Sequence, residues 1–290
     1  MNMKTNALSM NPPKPPAAPG ANGRPVARRL LHAALGALVP LCVLLVWHCA
    51  ASYSTALAGL LPAPLQVLDA WRVWIAGSDP LGMNAYAGTW LSNLAYSATR
   101  VGEGFLLAVL FGIPLGLMIG WSRLAARMVD PLIQGLRPIP ITAWLPFSIA
   151  VFGIRDMGSI FLIFLGGFYA IVVNTTQGAR EVDRNLVRAA LMMGARPAQL
   201  LRRVVLPAAM PSIFTGLRIG LGIAWTAVIV SEMVAVKSGL GYVLWDAYYV
   251  GRMDIVLADM ASIGALGYLS DRILVLIANR VLVWRALQSH

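Results

Sequence analysis

Charged residues are scarce in this 290-residue chain. They make up 12% of the sequence, against about 25% in an ordinary soluble domain. Hydrophobic residues make up 58%. So few charges cannot cover a water-soluble surface, and the composition therefore indicates a membrane protein.

Lysine is nearly missing and occurs only at positions 4, 14 and 237. None of these lysines follows the Gly-x-x-x-x-Gly pattern of a phosphate-binding loop, so the chain does not hydrolyse ATP by that route. Basic residues outnumber acidic ones by 23 to 12. The arginines stand at the ends of apolar runs and form no continuous stripe, which argues against a nucleic-acid partner.

Cysteine and histidine are equally sparse. Cys42 and Cys49 lie in one apolar run, at a spacing that makes a disulfide sterically implausible. The three histidines are scattered, and the apolar segments contain no nucleophile–base pair or acid pair. We therefore expect no resident metal or cofactor and no enzymatic activity.

Long apolar runs are abundant. A span needs about 20 apolar residues, and six segments qualify, which predicts an all-α, polytopic fold with six transmembrane helices. These segments are residues 30–51, 101–121, 132–152, 157–177, 213–236 and 256–284. Prolines interrupt the third. Residues 1–29 are rich in proline and predict a disordered tail, and residues 30–290 form the transmembrane domain.

The basic residues predict the orientation of the chain. With the N-terminus in the cytosol, fifteen of the 23 basic residues lie on the cytosolic side. Five lie outside, namely Arg72, Arg100, Arg155, Lys237 and Arg252. The positive-inside rule then places both termini and residues 178–210 in the cytosol.

Glycines recur every four residues in two predicted spans. Gly112, Gly116 and Gly120 lie in the second span, and Gly216 and Gly220 in the fifth. Such spacing predicts close helix packing, either at a functional seam or within an ordinary helix bundle.

Residues 178–210 form a basic segment between the fourth and fifth spans. Asp183 or Asn185 is predicted to cap a helix that begins near Leu186, and Gly194 to end it in the left-handed conformation. Leu186, Ala189, Ala190 and Met193 would share one face. A second helix is predicted over residues 198–205, ended by Pro207. The pattern also fits a simple amphipathic hairpin at the membrane surface.

This segment resembles the cytoplasmic loop of ABC-transporter permeases, whose loose consensus is Glu-Ala-Ala, three residues, Gly, about nine residues, then Ile-x-Leu-Pro. Ala189, Ala190, Gly194 and residues 204–207 match it, and Arg188 stands where the consensus has Glu. Residues 130–140, 215–219 and 238–246 resemble the nitrate/sulfonate/taurine branch. The resemblance covers about residues 60–285.

The resemblance implies a type I ABC importer permease with a cytoplasmic coupling-helix hairpin, in a bacterial inner membrane. Its implied partners are separate ATPase subunits that hold ATP and Mg, an extracytoplasmic binding protein and a second permease copy in a homodimer. The residues implied in ATPase coupling are Arg188, Ala189, Ala190, Gly194, Ala195, Leu206 and Pro207.

Polar residues within the spans are candidates for the translocation pathway, because such groups usually face the interior of a bundle. They are Thr142, Trp144, Ser148, Trp225, Thr226 and Glu232. Hydrogen bonding between helices explains them equally well. Arg137 and Arg218 either attract an anion or serve as anchors and partners for carboxylates. Residues 238–250 predict an aromatic-rich helix at the external interface.

The branch resemblance implies a small anion as cargo, such as nitrate, a sulfonate, taurine or bicarbonate, moved by alternating access. The alternative is a self-sufficient secondary transporter. That alternative would need ion-coupling carboxylates within the membrane, for which Glu103, Glu232 and Asp271 are the available residues.

Overall fold

Every regular element is helical in the residues that the computed structural model describes, which are 24–53, 61–77 and 84–282. The helices are α1 (Arg24–Tyr53), α2 (Pro64–Ala76), α3 (Trp90–Trp121), α4 (Arg123–Met128), α5 (Asp130–Leu136), α6 (Leu145–Phe152), α7 (Asp156–Arg180), α8 (Arg184–Met192), α9 (Pro197–Leu200), α10 (Leu206–Ala235), α11 (Leu240–Tyr249) and α12 (Met253–Val281).

Helix α1 belongs to a separate unit that ends at Thr55, and residues 56–290 form the other unit. It covers the first predicted span and begins at Arg24, six residues before the predicted start. Cys42 and Cys49 on this helix are free and exposed. The rest of the predicted tail, residues 1–23, lies outside the described residues.

Four helical segments in the described residues are long and apolar enough to cross a membrane: α3, α7, the run Pro197–Ala235, and α12. A fifth candidate is the predicted third span, which is broken as expected. Its halves, Arg123–Leu136 and Ile141–Phe152, meet at 92°. The break contains Pro138 and Pro140, whose missing N–H groups and bulky rings prevent a continuous helix.

The helix that contains the second predicted span is longer than the span, because α3 begins at Trp90, eleven residues before Val101. The added turns contain Ser97 and Arg100. These polar residues lower the mean hydropathy of the segment, so a prediction from hydropathy begins the span after them. Both side chains are buried and hydrogen-bonded to other helices. Partners within the bundle therefore permit polar groups that the sequence pattern had placed outside the membrane.

Helix α7 is the centre of the bundle. In the most apolar stretch of α7, 56% of the residues are buried, whereas in that of α12, at the periphery, 6% are buried. The predicted glycine stripe of α3 packs on it: a Cβ added at Gly116 would lie 2.6 Å from Thr175 Cβ, and one at Gly120 would lie 2.5 Å from Ala179 Cβ. Larger residues would force these helices apart, so the stripe serves close packing within the bundle.

Candidate functional site

The basic segment after α7 folds into two short helices joined by a turn, and we call residues 184–200 the surface hairpin. Asp183 begins it, since its carboxylate accepts a hydrogen bond of 2.8 Å from the Asn185 N–H. The cap predicted from sequence is thus confirmed at Asp183. The carboxylate of Asp183 accepts from a backbone N–H that has no partner within the helix, and this cap stabilises the start of α8 at Arg184.

Gly194 ends α8 in the left-handed conformation, at φ +80°, as predicted. Its N–H donates to Leu191 O at 2.9 Å, and the Ala195 N–H donates to Ala190 O at 3.1 Å. These two bonds satisfy carbonyls that the helix end would leave open. A residue with a side chain would be strained at this φ, although the space around Gly194 is open.

The predicted end of the second helix at Pro207 is wrong. Helix α9 begins at Pro197 and passes through a π-turn, Leu201–Val205, directly into α10. Pro207 has no N–H to donate to a carbonyl in the preceding turn. The wide π-turn accommodates this missing hydrogen bond, so the helix continues through Pro207. The second arm of the hairpin is therefore the start of a 39-residue helix, Pro197–Ala235.

The predicted shared face of α8 is only partly buried. Ala190 is buried, whereas Leu186 and Met193 are exposed. Met192 is the most exposed, at 87%. Exposed apolar side chains on a helix between two spans indicate a surface that another protein or the membrane interface covers.

The predicted coupling residues divide into two groups. Arg188, Ala189, Ala190, Gly194 and Ala195 lie on α8 and its turn, and Arg188 is exposed without a side-chain partner in the described chain. Leu206 and Pro207 are half-buried at the start of α10 instead. Leu206 packs against a core cluster of α3, α7 and α10, so it belongs to the base of the hairpin.

Two buried residues and an ion pair lie near the base of the hairpin. Leu200, the last residue of the hairpin, and Val205 in the π-turn are buried. Arg180, at the end of α7, forms an ion pair of 2.9 Å with Asp130 on α5. A cleft of about 430 Å³ lies beside α9, lined by Ala198, Gln199, Arg202 and Arg203.

At the opposite end of the bundle, Arg100 of α3 is buried among three partners. Its guanidinium lies 2.7 Å from Glu232 of α10 and 2.6 Å from Asp156 at the start of α7. It also donates to the carbonyl and the hydroxyl of Ser238, at 2.8 Å and 2.6 Å. All three nitrogens of the Arg100 guanidinium therefore have an acceptor. An arginine can be buried without a large loss of stability only when its charge and its donors are paired in this way.

Glu232 is fully buried, and its carboxylate has partners besides Arg100. The Ser97 hydroxyl lies 2.8 Å and 2.9 Å from its two oxygens, and the Gly241 N–H donates to it at 3.0 Å. The Ser97 hydroxyl in turn accepts from the Leu240 N–H at 2.9 Å. This arginine network joins α3, α7, α10 and α11.

Asp259 of α12 is also fully buried, yet neither of its carboxylate oxygens has a hydrogen-bond partner in the described chain. It lies close enough to Glu232 for the two carboxylates to interact electrostatically. Sequence reasoning overlooked Asp259, although an acidic residue inside the last apolar run was a visible signal. It also placed Arg100 outside the membrane and omitted Ser97.

The six candidate pathway residues have different surroundings. Thr142 and Thr226 are exposed. The others are occupied within the bundle: Ser148 donates to Gly158 O, Trp225 donates to Ser270 Oγ, Trp144 packs edge-on against Phe147 and Phe161, and Glu232 belongs to the arginine network. Hydrogen bonding between helices thus accounts for Ser148, Trp225 and Glu232, whereas the buried indole N–H of Trp144 has no partner in the described chain.

The aromatic segment predicted at residues 238–250 forms α11. Trp245, Tyr248 and Tyr249 lie with ring centroids 5.2–5.9 Å apart. Asp246 accepts a hydrogen bond of 2.7 Å from the Tyr86 hydroxyl. Burial and that carboxylate raise the pKa of Tyr86 above its ordinary value, so the hydroxyl keeps its proton and the loop before α3 stays joined to α11.

No group of three His, Cys, Asp or Glu residues that could hold a metal ion occurs in the described ranges. The two candidate regions are the surface hairpin at one end of the bundle and the buried arginine network at the other. Neither arrangement contains an activated nucleophile. The hairpin presents an exposed surface that is connected to long helices.

Comparisons with known proteins agree with this architecture. Residues 112–283 match the family described as binding-protein-dependent transport system inner membrane component. A putative ABC transporter permease protein of Methanocaldococcus jannaschii is 45% identical over 203 residues, 70% of this chain and 76% of that protein. The taurine transport system permease protein of Escherichia coli is 37% identical, over 83% and 86% of the two chains.

A third relative, the nitrate import permease protein of Synechocystis, is 35% identical over 76% of this chain and 80% of that protein. Among solved structures, the inward-facing MetNI methionine ABC transporter has a chain with a TM-score of 0.59. That match covers 66% of this chain and 95% of the other, at 21% identity. It shows a shared fold.

Proposed function

The chain belongs to the family of binding-protein-dependent transport system inner membrane components, multi-pass permease subunits and not enzymes, and from this premise we propose that it forms the translocation pathway of an ATP-driven importer for a small oxyanion. A separate ATPase, which binds ATP and Mg, docks on the surface hairpin. Its nucleotide cycle drives alternating access.

The observation that carries this proposal is the exposed hairpin, fixed at both of its ends to long helices. Met192 and Met193 stand in the open, with Arg188 beside them. An apolar contact with a basic margin suits a partner that has an apolar groove edged by carboxylates. Alternating access needs such a contact, because the ATPase has to move the spans through it.

The long helix beyond the hairpin gives the movement a path. Its 39 residues from Pro197 to Ala235 extend for about 58 Å at the α-helical rise. One end lies in the hairpin and the other carries Glu232, in the arginine network. Movement of the hairpin therefore reaches the far end of the bundle through one continuous element.

The orientation and partners follow from the two ends. We place the hairpin and both termini in the cytosol, in accordance with the excess of arginine there. Helix α11, with its exposed Tyr248 and Tyr249, then lies at the external side, where the binding protein delivers cargo. A second copy of this chain completes a homodimeric pathway.

The cargo is inferred from the relatives. Their names include transport systems for taurine, nitrate, aliphatic sulfonates and bicarbonate. Taurine and sulfonates carry a sulfonate group, and nitrate and bicarbonate are oxyanions themselves. A small oxyanion is therefore the substrate class that we propose for this chain.

The experiment replaces Gly194 and uses Gly251 as its matched control. Gly251, which follows α11, has φ +77° and open space around it, against φ +80° at Gly194. Both glycines end a helix with the same pair of backbone hydrogen bonds. Leucine at either position should cost roughly 1–2 kcal/mol of backbone strain, so a general loss of stability affects both variants equally.

We expect Gly194→Leu to abolish co-purification of the ATPase and ATP-dependent uptake, with membrane insertion unchanged. Gly251→Leu should retain the ATPase. Equal ATPase retention by the two variants would contradict the docking assignment. ATP-independent uptake by this chain alone in proteoliposomes would favour the secondary-transporter alternative instead.

A further inference from the structure

Helix α10 carries a line of exposed small and polar residues on one side. They are Thr215, Arg218, Gly222 and Thr226, and we call them the polar stripe. Their spacing of three or four residues places them on one face of the helix. Between them, Leu217, Leu221 and Trp225 are buried in the bundle, whereas Ile219 is exposed and Ile223 is half-buried. An exposed polar face on a membrane-spanning helix requires an explanation, because lipid does not solvate such groups.

Arg218 is the charged member of the stripe. It forms a two-pronged ion pair with Asp271 of α12, with Nε–Oδ1 and Nη2–Oδ2 distances of 2.7 Å and 2.9 Å. The two side chains remain 50% and 33% exposed. In the described chain the other N–H donors of Arg218 have no acceptor, so the guanidinium can bind a further group.

The ion pair lies far from the helix ends. Asp271 is ten residues before the end of α12 at Val281, about 15 Å along the helix axis. A half-exposed ion pair at that depth is costly against hydrocarbon. Water inside a pathway solvates it, and we therefore place the stripe on a water-filled surface.

A cleft of about 290 Å³ borders α10 beside the stripe, although none of the four stripe residues lines it. Its walls include Ile219 and Ile223 of α10, Asn174 of α7, and the proline-containing turn after α5, which contributes Arg137. Arg137 is exposed and has no ion pair among the described residues. Arg137 at the cleft and Arg218, which is adjacent in sequence to the lining residue Ile219, outnumber the one carboxylate Asp271. Such an excess of positive charge attracts an anion.

We propose that Arg218 is an anion-binding position in the translocation pathway, where a small oxyanion takes over guanidinium hydrogen bonds that Asp271 otherwise accepts. The planar guanidinium matches the oxygens of nitrate, bicarbonate or a sulfonate in the same way as it matches a carboxylate. Asp271 regains these bonds when the anion moves on. The carboxylate thus keeps the arginine from holding the cargo too tightly. This inference rests on the proposed function and adds the residue that selects for negative charge.

The test measures the electrostatic potential of the stripe and needs no knowledge of the cargo. Cys42 and Cys49 are replaced by alanine, and Gly222→Cys is introduced. An added Cβ at Gly222 meets no atom within 4 Å, and the position lies one turn, about 6 Å, from Arg218. The complete complex with its ATPase, in proteoliposomes, is treated with an anionic methanethiosulfonate (the ethylsulfonate) and with its cationic trimethylammonium analogue.

We expect Gly222→Cys to react with both reagents, and faster with the anionic one. Arg218→Gln should lower the anionic-to-cationic rate ratio by about threefold or more, and Asp271→Asn should raise it similarly, as expected for one charge at this range. Leu110→Cys on the apolar face of α3, 61% exposed, should remain unreactive. Arg127→Gln on α4 controls for loss of a distant charge and should leave the ratio unchanged.

Two results would overturn the inference. One is a Gly222→Cys as unreactive as Leu110→Cys, which means that lipid or protein covers the stripe. The other is a rate ratio that does not respond to Arg218. Neither result affects ATPase retention on the surface hairpin, so failure here is distinct from failure of the proposed function.

Uptake by the double variant Arg218→Gln/Asp271→Asn separates anion binding from a merely structural ion pair. Labelled nitrate and taurine serve as probes, with the wild-type complex as reference. We expect uptake at least about tenfold below wild type in the double variant, with the ATPase still bound. If the pair is only structural, removing both charges restores the uptake that Arg218→Gln alone loses, and the inference fails.

Discussion

Arg100–Glu232 and Arg218–Asp271 are both arginine–carboxylate pairs within apolar helices, each with a closest N–O distance of 2.7 Å. The first pair is buried, with side-chain exposures of 6% and 0%, and the second is half-exposed, at 50% and 33%. Arg100 has further partners in Asp156 and Ser238, whereas Arg218 has none beyond Asp271 in the described chain. The same chemistry thus serves as a fixed joint between helices in one place and as an available binding group in the other.

This comparison predicts different consequences for stability. Removing one partner of a buried ion pair leaves the other charge uncompensated, whereas a half-exposed pair has water to replace what is lost. Four variants, one of them a double variant, test this difference. Denaturant-induced unfolding of the purified protein in detergent micelles is the common measurement.

Glu232→Gln should have the largest effect, a loss of roughly 3–5 kcal/mol in the free energy of unfolding. The amide keeps the shape of the side chain but removes the charge that compensates the buried Arg100. Glu103→Gln is the matched control, because Glu103 is an exposed carboxylate on α3, and it should unfold as the wild type does. A small loss for Glu232→Gln would show that Asp156 alone is enough for Arg100.

Ser97→Ala should follow, with a loss of roughly 1–3 kcal/mol. The Glu232 carboxylate loses a hydroxyl donor, and the buried Leu240 N–H loses its acceptor. Ser92→Ala on the same helix is the control, since the exposed Ser92 hydroxyl donates only to the carbonyl of Thr89, the residue just before α3. If both variants unfold alike, α3 and α11 are held together by packing and not by this hydroxyl.

Asp259→Asn should change stability in the opposite direction, with no loss and a gain of up to about 1 kcal/mol. Asp259 has no hydrogen bond to lose in the described chain, and the amide replaces a carboxyl group that interacts unfavourably with Glu232. A loss as large as that of Glu232→Gln would contradict this expectation and show that the Asp259 carboxyl group stabilises the purified protein.

The double variant Arg218→Gln/Asp271→Asn should have the smallest effect, with an unchanged unfolding midpoint. Both side chains are partly exposed, so their pairing contributes little to stability. A midpoint lowered as far as that of Glu232→Gln would remove the distinction between the two pairs.

Local chemistry made much of the surface hairpin predictable. Asp183 caps α8 and Gly194 ends it as the sequence indicated, because caps depend on residues only a few positions away. The end of the second helix was not predictable in this way. Pro207 is a helix terminator in most local contexts, but here a π-turn admits it and the helix continues into the span.

The arginine network was hidden from sequence reasoning for a different reason. Its members come from residues 97–100, 156, 232 and 238–241, and nothing local indicates that they meet. Hydropathy counts Arg100 and Ser97 as polar and so places them outside the span. Only the partners on α7, α10 and α11 make their burial tolerable.

The sequence by itself determined the class of this protein: a helical, multi-pass membrane subunit with a capped, basic hairpin and a motif shared with ABC permeases. Composition, hydropathy and capping depend on neighbouring residues, and each can be evaluated along the chain. Tertiary structure alone decided which polar groups in the spans have partners within the bundle and which remain exposed. Glu232 and Arg218 are both charged residues in the fifth predicted span, and the sequence does not distinguish their surroundings. The helices packed around Glu232 supply its partners, whereas one side of Arg218 stays uncovered.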